Sequence, residues 1–208
     1  MYTVVPREKG VFVADAESRV LPLLATFSYS DARAAGLSKR ALYKLRDEGS
    51  IEVIGRGLYR RSDAALADLG LLSVAARSPR ATLCLATALA RHGLSDAIPP
   101  APDVALPRGT RTPATEAMIQ WHFFARDTFD IGRGVLALDQ ETAIGLYSAE
   151  RSIIDAFRTR GTEGHELANE ALRRWLRRPK TQPSELLLLA HQFPRAEEPL
   201  RTSLELLL

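Results

Sequence analysis

The chain has 208 residues, 46% of them hydrophobic, and a net charge of +3, enough apolar material for one large domain or two small ones. No apolar run approaches the ~20 residues of a membrane span, and no basic start followed by an uninterrupted apolar core marks a secretory signal. The single cysteine, Cys84, excludes an internal disulfide and a multi-cysteine metal site; in the apolar run Thr82 to Leu89 it reads as a buried thiol, and a reducing cytoplasm is the expected compartment.

Charge is unevenly spread. From Thr26 to Arg61, eight basic residues stand against four acidic ones, a local excess of +4 that leaves −1 for the rest of the chain. A positive excess confined to one short stretch is expected where only that stretch meets a polyanion.

In chain order, Asp15 or Ser18 is placed to cap a first helix through Ala25. Ser30 and Asp31 open a second, which Gly36 ends. Leu37 is an apolar turn residue, Ser38 caps a third helix over Lys39 to Glu48, and Gly49 stops it. Two short helices joined by a tight, glycine-containing turn form a helix-turn-helix. At 100° per residue, Ala41, Leu42 and Leu45 fall on the inner side with the Ser38 cap. Lys39, Arg40, Tyr43, Arg46 and Asp47 fall on the outer side. A solvated surface helix carries long charged side chains too, but a tyrosine centred among three bases suits a major groove better. There Lys39 or Arg40 would reach guanine edges, Tyr43 a thymine methyl or a phosphate, and Lys44 a flanking phosphate.

Next, Ile51 to Ile54 reads as a strand, Gly55-Arg56-Gly57 as a tight turn and Leu58 to Arg61 as the return strand. Arg56 then stands at the tip, as in the wing of a winged helix. The DNA-binding candidates are therefore Ser38, Lys39, Arg40, Tyr43, Lys44, Arg46 and Arg56, in a domain over residues 1–62.

Residues 63–208 read as a second, mixed α/β domain, which makes the fold class α+β. A linking helix is expected over Asp63 to Arg77 and a mainly buried one over Thr82 to His92. Strands follow at Asp103 to Leu106, Ile119 to Phe124, Gly134 to Leu138 and Thr142 to Tyr147, the last two split by a turn near Asp139. In the second of these, Ile119, Trp121 and Phe123 alternate with Gln120 and His122. Ser148 caps a helix through Arg158, with Arg151 and Asp155 at i,i+4 and Asp155 and Arg158 at i,i+3 on its more polar side. Helices over Thr162 to Arg178, Ser184 to Gln192 and Pro199 to Leu208 complete the chain. The basic tail Arg173 to Arg178 suggests a second nucleic-acid contact, but cations at a helix C-terminus and a Glu170–Arg174 pair account for it more simply.

The stretch from Phe27 to Arg61, with Gly55-Arg56-Gly57-Leu58-Tyr59-Arg60 as its wing, resembles the N-terminal domain of AbiEi-family antitoxins of type IV toxin–antitoxin and abortive-infection modules. Ala88 to Leu94, Val104 to Gly109 and Tyr147 to Arg158 resemble the same family, so the likeness covers nearly the whole chain. It implies a winged helix that represses the operon's own promoter and a C-terminal domain that neutralises a nucleotidyltransferase-like toxin encoded beside it. The expected partners are double-stranded operator DNA and that toxin, with a homodimer on inverted repeats as the natural arrangement and no membrane.

No phosphate loop, dinucleotide fingerprint or His-Glu-x-x-His pair occurs, and the four histidines lack ligand spacing, so no metal, cofactor or catalytic residue is expected. Glu150, Arg151 and Asp155 form the best polar constellation; side by side on one helix, such residues brace a fold more often than they perform acid–base chemistry. With Arg158 they are also the candidate surface for opposing the toxin. Direct masking of the toxin and its covalent modification, for instance by phosphoryl transfer, stay open as alternatives.

Overall fold

The computed structural model describes residues 16–159 and 165–208, which form two compact units dividing between Ala65 and Leu66. The Asp15 cap and the start of the helix expected at Thr162 lie outside the described residues.

The first unit contains α1 (Ala16–Val20), β1 (Thr26–Ser28), α2 (Tyr29–Ala34), α3 (Lys39–Asp47), β2 (Ile51–Gly55) and β3 (Leu58–Arg61). Its strands form an antiparallel sheet in the order β1-β3-β2. This is a winged helix-turn-helix. The first helix is shorter than its sequence suggests, because the chain turns after Val20 and Thr26 to Ser28 pair with Leu58 to Arg60. That pairing moves the cap of α2 back from the expected Ser30 to Ser28, whose hydroxyl accepts from the Asp31 amide while the Asp31 carboxylate accepts from the Ser28 amide. Phe27 and Tyr59, opposite one another across the sheet, stack at 5.7 Å and join Val20, Ala32, Leu37, Leu42, Leu45 and Ile51 in one small core.

The second unit contains α4 (Leu69–Arg77), β4 (Thr82–Leu83), α5 (Leu85–Arg91), β5 (Asp103–Pro107), β6 (Gln120–Phe124), β7 (Arg133–Ala137), β8 (Ala143–Tyr147), α6 (Ala149–Arg158), α7 (His165–Leu176), α8 (Pro183–Ala190) and α9 (Glu197–Leu207). The five strands make one mixed sheet, β6-β5-β4-β8-β7. β5 runs parallel to β6 and β4 parallel to β8; the β4–β5 and β7–β8 pairs are antiparallel.

Alternation along β5 assigns the two faces of this sheet. Val104 and Leu106 pack with Leu71 and Val74 of α4, whereas Ala105 packs with Cys84, Leu85, Phe124, Phe129 and Tyr147. A third cluster joins Leu89 of α5 to α6, α7, α8 and α9.

Three expectations are corrected here. The linking helix begins at Leu69, where the Asp68 side chain caps the Leu71 amide, and not at Asp63. Thr82 and Leu83 are a central strand, not the first turn of a helix, because they bridge β5 and β8. Leu85, at φ +44, makes the turn into α5, a left-handed conformation that costs an L-residue about 1–2 kcal/mol and is held by complete burial. Phe123 is 42% exposed while its neighbour Phe124 is buried, so the aromatic pattern of β6 does not alternate as simply as expected.

Candidate nucleic-acid interface

The helix-turn-helix places α3 through local interactions. Ser38 caps it, its hydroxyl accepting from the Ala41 amide at 3.1 Å, and Leu42 and Leu45 are buried in the core with Ala41 packed against them. Every polar side chain from Lys39 to Asp47 is consequently turned to solvent. The centre of that face is Tyr43, 44% exposed. One turn before it the Lys39 ammonium lies 5.7 Å from the ring centroid, and one turn after it the Arg46 guanidinium lies at 5.1 Å.

The cations on this face are not equally engaged. Among the described residues Lys39 and Arg40 form no ion pair. Lys44 meets Glu48 at 3.4 Å, and Arg46 holds Asp47 through Nε and Nη2 at 3.0 and 2.7 Å. These are exposed, screened pairs that a phosphate would readily replace. Because the Ser38 oxygen is engaged as a cap, its hydroxyl can offer an approaching phosphate only its proton.

The wing turn is Arg56-Gly57, between Gly55 and Leu58, which face each other in register after a bulge at Val53 to Gly55. Gly57 takes φ +68, a conformation that a side chain there would strain. Its carbonyl accepts from the Tyr29 amide at 2.9 Å, which ties the wing to the start of α2. Arg56 is exposed at the tip.

Two of the eight basic residues counted in this stretch do not belong to the face. Arg60 is 2% exposed, donating to Thr26 Oγ1 at 2.9 Å and to the Ala65 carbonyl at 2.6 Å. Arg61 donates to the Leu21 and Leu23 carbonyls and pairs with Asp63. Both serve as struts between the sheet and the flanking chain. Charge counting does not reveal these contacts; adjacent residues of a strand point to opposite faces, and each arginine finds its own partners in the flanking chain.

The polar cluster of α6 is different in kind. Arg151 and Asp155 have no exposed surface, so of the four residues expected to face the toxin these two are closed to a partner, while Glu150 and Arg158 are partly exposed. Arg151 Nε donates to Asp155 Oδ2 at 2.9 Å, and Arg158 Nη2 lies 2.9 Å from Asp155 Oδ1. Arg151 Nη1 donates to the carbonyls of Thr128 and Ile131, and its guanidinium lies between the rings of Tyr147 and Phe193, 4.3 Å from each. At Gly132 a Cβ would come within 2.8 Å of Arg151 Cβ. Burial pushes the Asp155 carboxyl up, against the pull of Arg151 and Arg158. Glu150 stands apart: the Trp175 indole donates to its Oε1 at 3.0 Å. Burial raises its pKa, but that bond, its own backbone and Ser148 outweigh burial and leave it below the usual carboxylate value. The cluster braces the domain.

His122 meets Asp103 Oδ1 at 2.9 Å, and Asp103 Oδ2 accepts from the Thr87 amide and hydroxyl. Sequence reasoning missed Asp103, whose partners lie 16 and 19 residues away. His92 contacts the Tyr147 carbonyl and His191 the Glu197 carboxylate, so these histidines do not converge. Among the described residues no group of three or more His, Cys, Asp or Glu is arranged to hold a metal, and no helix is long and apolar enough to cross a membrane.

Residues 21–62 match the family described as transcriptional regulator, AbiEi antitoxin. No curated protein matches the chain. A crystal structure of the Rv2827c protein from Mycobacterium tuberculosis is similar in fold, with a TM-score of 0.52 at 17% identity over 91% of this chain and 79% of that one.

Proposed function

We propose that this protein, whose residues 21–62 match the family described as transcriptional regulator, AbiEi antitoxin, binds operator DNA through α3 and its wing and represses its own toxin–antitoxin operon. The observation that carries the reading is the exposed cationic face centred on Tyr43, on a helix whose cap and core residues fix its orientation. With α3 in the major groove, Lys39 and Arg40 reach base edges, Arg40 as a bidentate reader of guanine, and Tyr43 packs on a thymine methyl or bonds a phosphate. Lys44, Arg46 and the Ser38 hydroxyl meet phosphates and set the register. Arg56 lies along the minor groove or on its phosphates. Two copies on an inverted repeat would place their α3 helices about 34–36 Å apart.

The C-terminal unit opposes the cognate toxin in this reading. Its Arg151–Asp155–Arg158 cluster, the first two members fully buried, supports a rigid scaffold for that task. A promoter–reporter fusion carrying the DNA upstream of the gene tests the repressor role. The intact protein should silence the reporter, and Lys39→Ala with Arg40→Ala should restore expression at unchanged protein level. Equal silencing by the double variant would remove α3 from the interface.

A further inference from the structure

Helix α3 carries one carboxylate at the centre of its exposed face. At about 100° per residue, Ala41, the buried Leu42 and Leu45, and the Ser38 cap centre on one side of the helix. Arg40, Tyr43 and Asp47, at i, i+3 and i+7, centre on the side directly opposite. Lys44 lies about 70° from that centre on one flank, and Lys39 and Arg46 about 70–90° from it on the other. Residues at the centre of a helix laid in a groove meet base edges, and those on its flanks meet the sugar–phosphate walls. Asp47 therefore occupies a base-facing position, and its side chain is 65% exposed.

The fold gives no reason for an acid there. Asp47 is the last residue of α3, where the negative end of the helix dipole disfavours a carboxylate. Arg46 Nε and Nη2 both donate to its Oδ1, at 3.0 and 2.7 Å, an exposed pair between neighbours that adds little stability. Asp47 Oδ2 has no partner among the described residues, and neither has Arg46 Nη1. The carboxylate is thus braced by Arg46 and presents one open acceptor.

Facing a polyanion, a carboxylate is repelled unless a donor meets it. In the major groove the donors are exocyclic amino groups, and the cytosine N4 amino group is the one that a carboxylate accepts from. Arg40 offers only donors and ionised Asp47 only acceptors, so the two ends of the stripe seek opposite base edges. Seven residues at about 1.5 Å each separate them by about 10 Å along the axis, or about three base-pair steps. We propose that Asp47 is a specificity-determining residue, whose Oδ2 accepts from a cytosine N4 amino group about three base pairs from the guanine that Arg40 reads. Arg46 holds the carboxylate in place through Oδ1 and gives Nη1 to a phosphate. This rests on α3 lying in the major groove, and it names the base that the C-terminal end of the helix selects. On other sequences the carboxylate meets base carbonyls or phosphates and lowers affinity.

The test is fluorescence anisotropy of the full chain with a set of upstream duplexes, each changed at one base pair, beside a scrambled duplex. At one C·G pair, about three steps from the position that Arg40→Ala relaxes, substitution should cost the intact chain about tenfold in affinity. Asp47→Ala should reduce that loss to within about twofold, keep the preference due to Arg40, and bind the scrambled duplex about threefold tighter. Asp47→Asn, whose amide can pair with adenine through both its donor and its acceptor, should move the preference at that pair from C·G to A·T. Both are surface changes at a helix end, so thermal melts should match those of the intact chain. An Asp47→Ala protein that keeps the intact chain's preference at every pair, or loses it only at the Arg40 position, overturns the assignment. An intact chain that prefers no upstream duplex to the scrambled one overturns the operator reading as well.

Discussion

Helices α3 and α6 are written in much the same way and end in opposite environments. Each is capped by a serine, Ser38 or Ser148, whose hydroxyl accepts from the third residue beyond it at 3.1 Å, and each carries arginines and an aspartate within nine or ten residues. In α3 only Leu42 and Leu45 are buried and the charges face solvent. In α6 every residue from Arg151 to Phe157 is buried, the ion pair included. The difference lies in the surroundings. One side of α3 packs on a small core, whereas α6 is surrounded by α5, α7, α8 and α9. An i,i+4 pair of opposite charges therefore says little about function until its enclosure is known. On α3 such charges are available to a ligand, and on α6 they are spent within the fold.

The largest effect should come from breaking the enclosed pair. Arg151→Leu strands Asp155 beside Arg158 alone and removes the donor to two carbonyls, and breaking a buried pair in this way costs about 3–5 kcal/mol. The expected result is a large fall in the denaturant midpoint. Next, on the exposed helix, Arg40→Ala should leave stability unchanged yet lose about 1–3 kcal/mol of operator binding and relax base choice at one position, as seen by titrating a set of singly substituted operators. Ser38→Ala removes the cap that both fixes α3 and offers a phosphate donor, and should lower stability by about 1 kcal/mol in thermal melts. The smallest effect is expected at Lys44: Lys44→Ala should weaken all DNA alike and reduce the salt slope of binding by about 1. If Arg40→Ala unfolds the protein, or Arg151→Leu does not destabilise it, the contrast between the two helices fails.

How far the sequence reveals all this follows the same division. The cap, boundaries and faces of α3 are set by residues within four positions of one another, and they are legible. The β2–β3 hairpin is legible for the same reason, since its turn is two residues. Strand β1 is not. Its three residues show no alternation of their own and become a strand only by pairing with Leu58 to Arg60, far along the chain. Thr82 and Leu83 look helical because the apolar run continues into α5, and only β5 and β8 on either side make them a strand. The α6 cluster is visible as residue types, but its burial depends on Phe193 and the helices beyond it. Arg60 adds to the charge excess of its stretch, and its burial is hidden for the same lack of long-range information, since its partners Thr26 and Ala65 are set by the sheet.

The claim that α3 and its wing read operator DNA is tested most directly by fluorescence anisotropy of the full chain with the DNA immediately upstream of its gene, beside a scrambled duplex, across several salt concentrations. The account predicts tight binding to the upstream sequence that weakens steeply with salt and a clear preference over the scrambled duplex. Equal binding to both duplexes, or none to either, would contradict it.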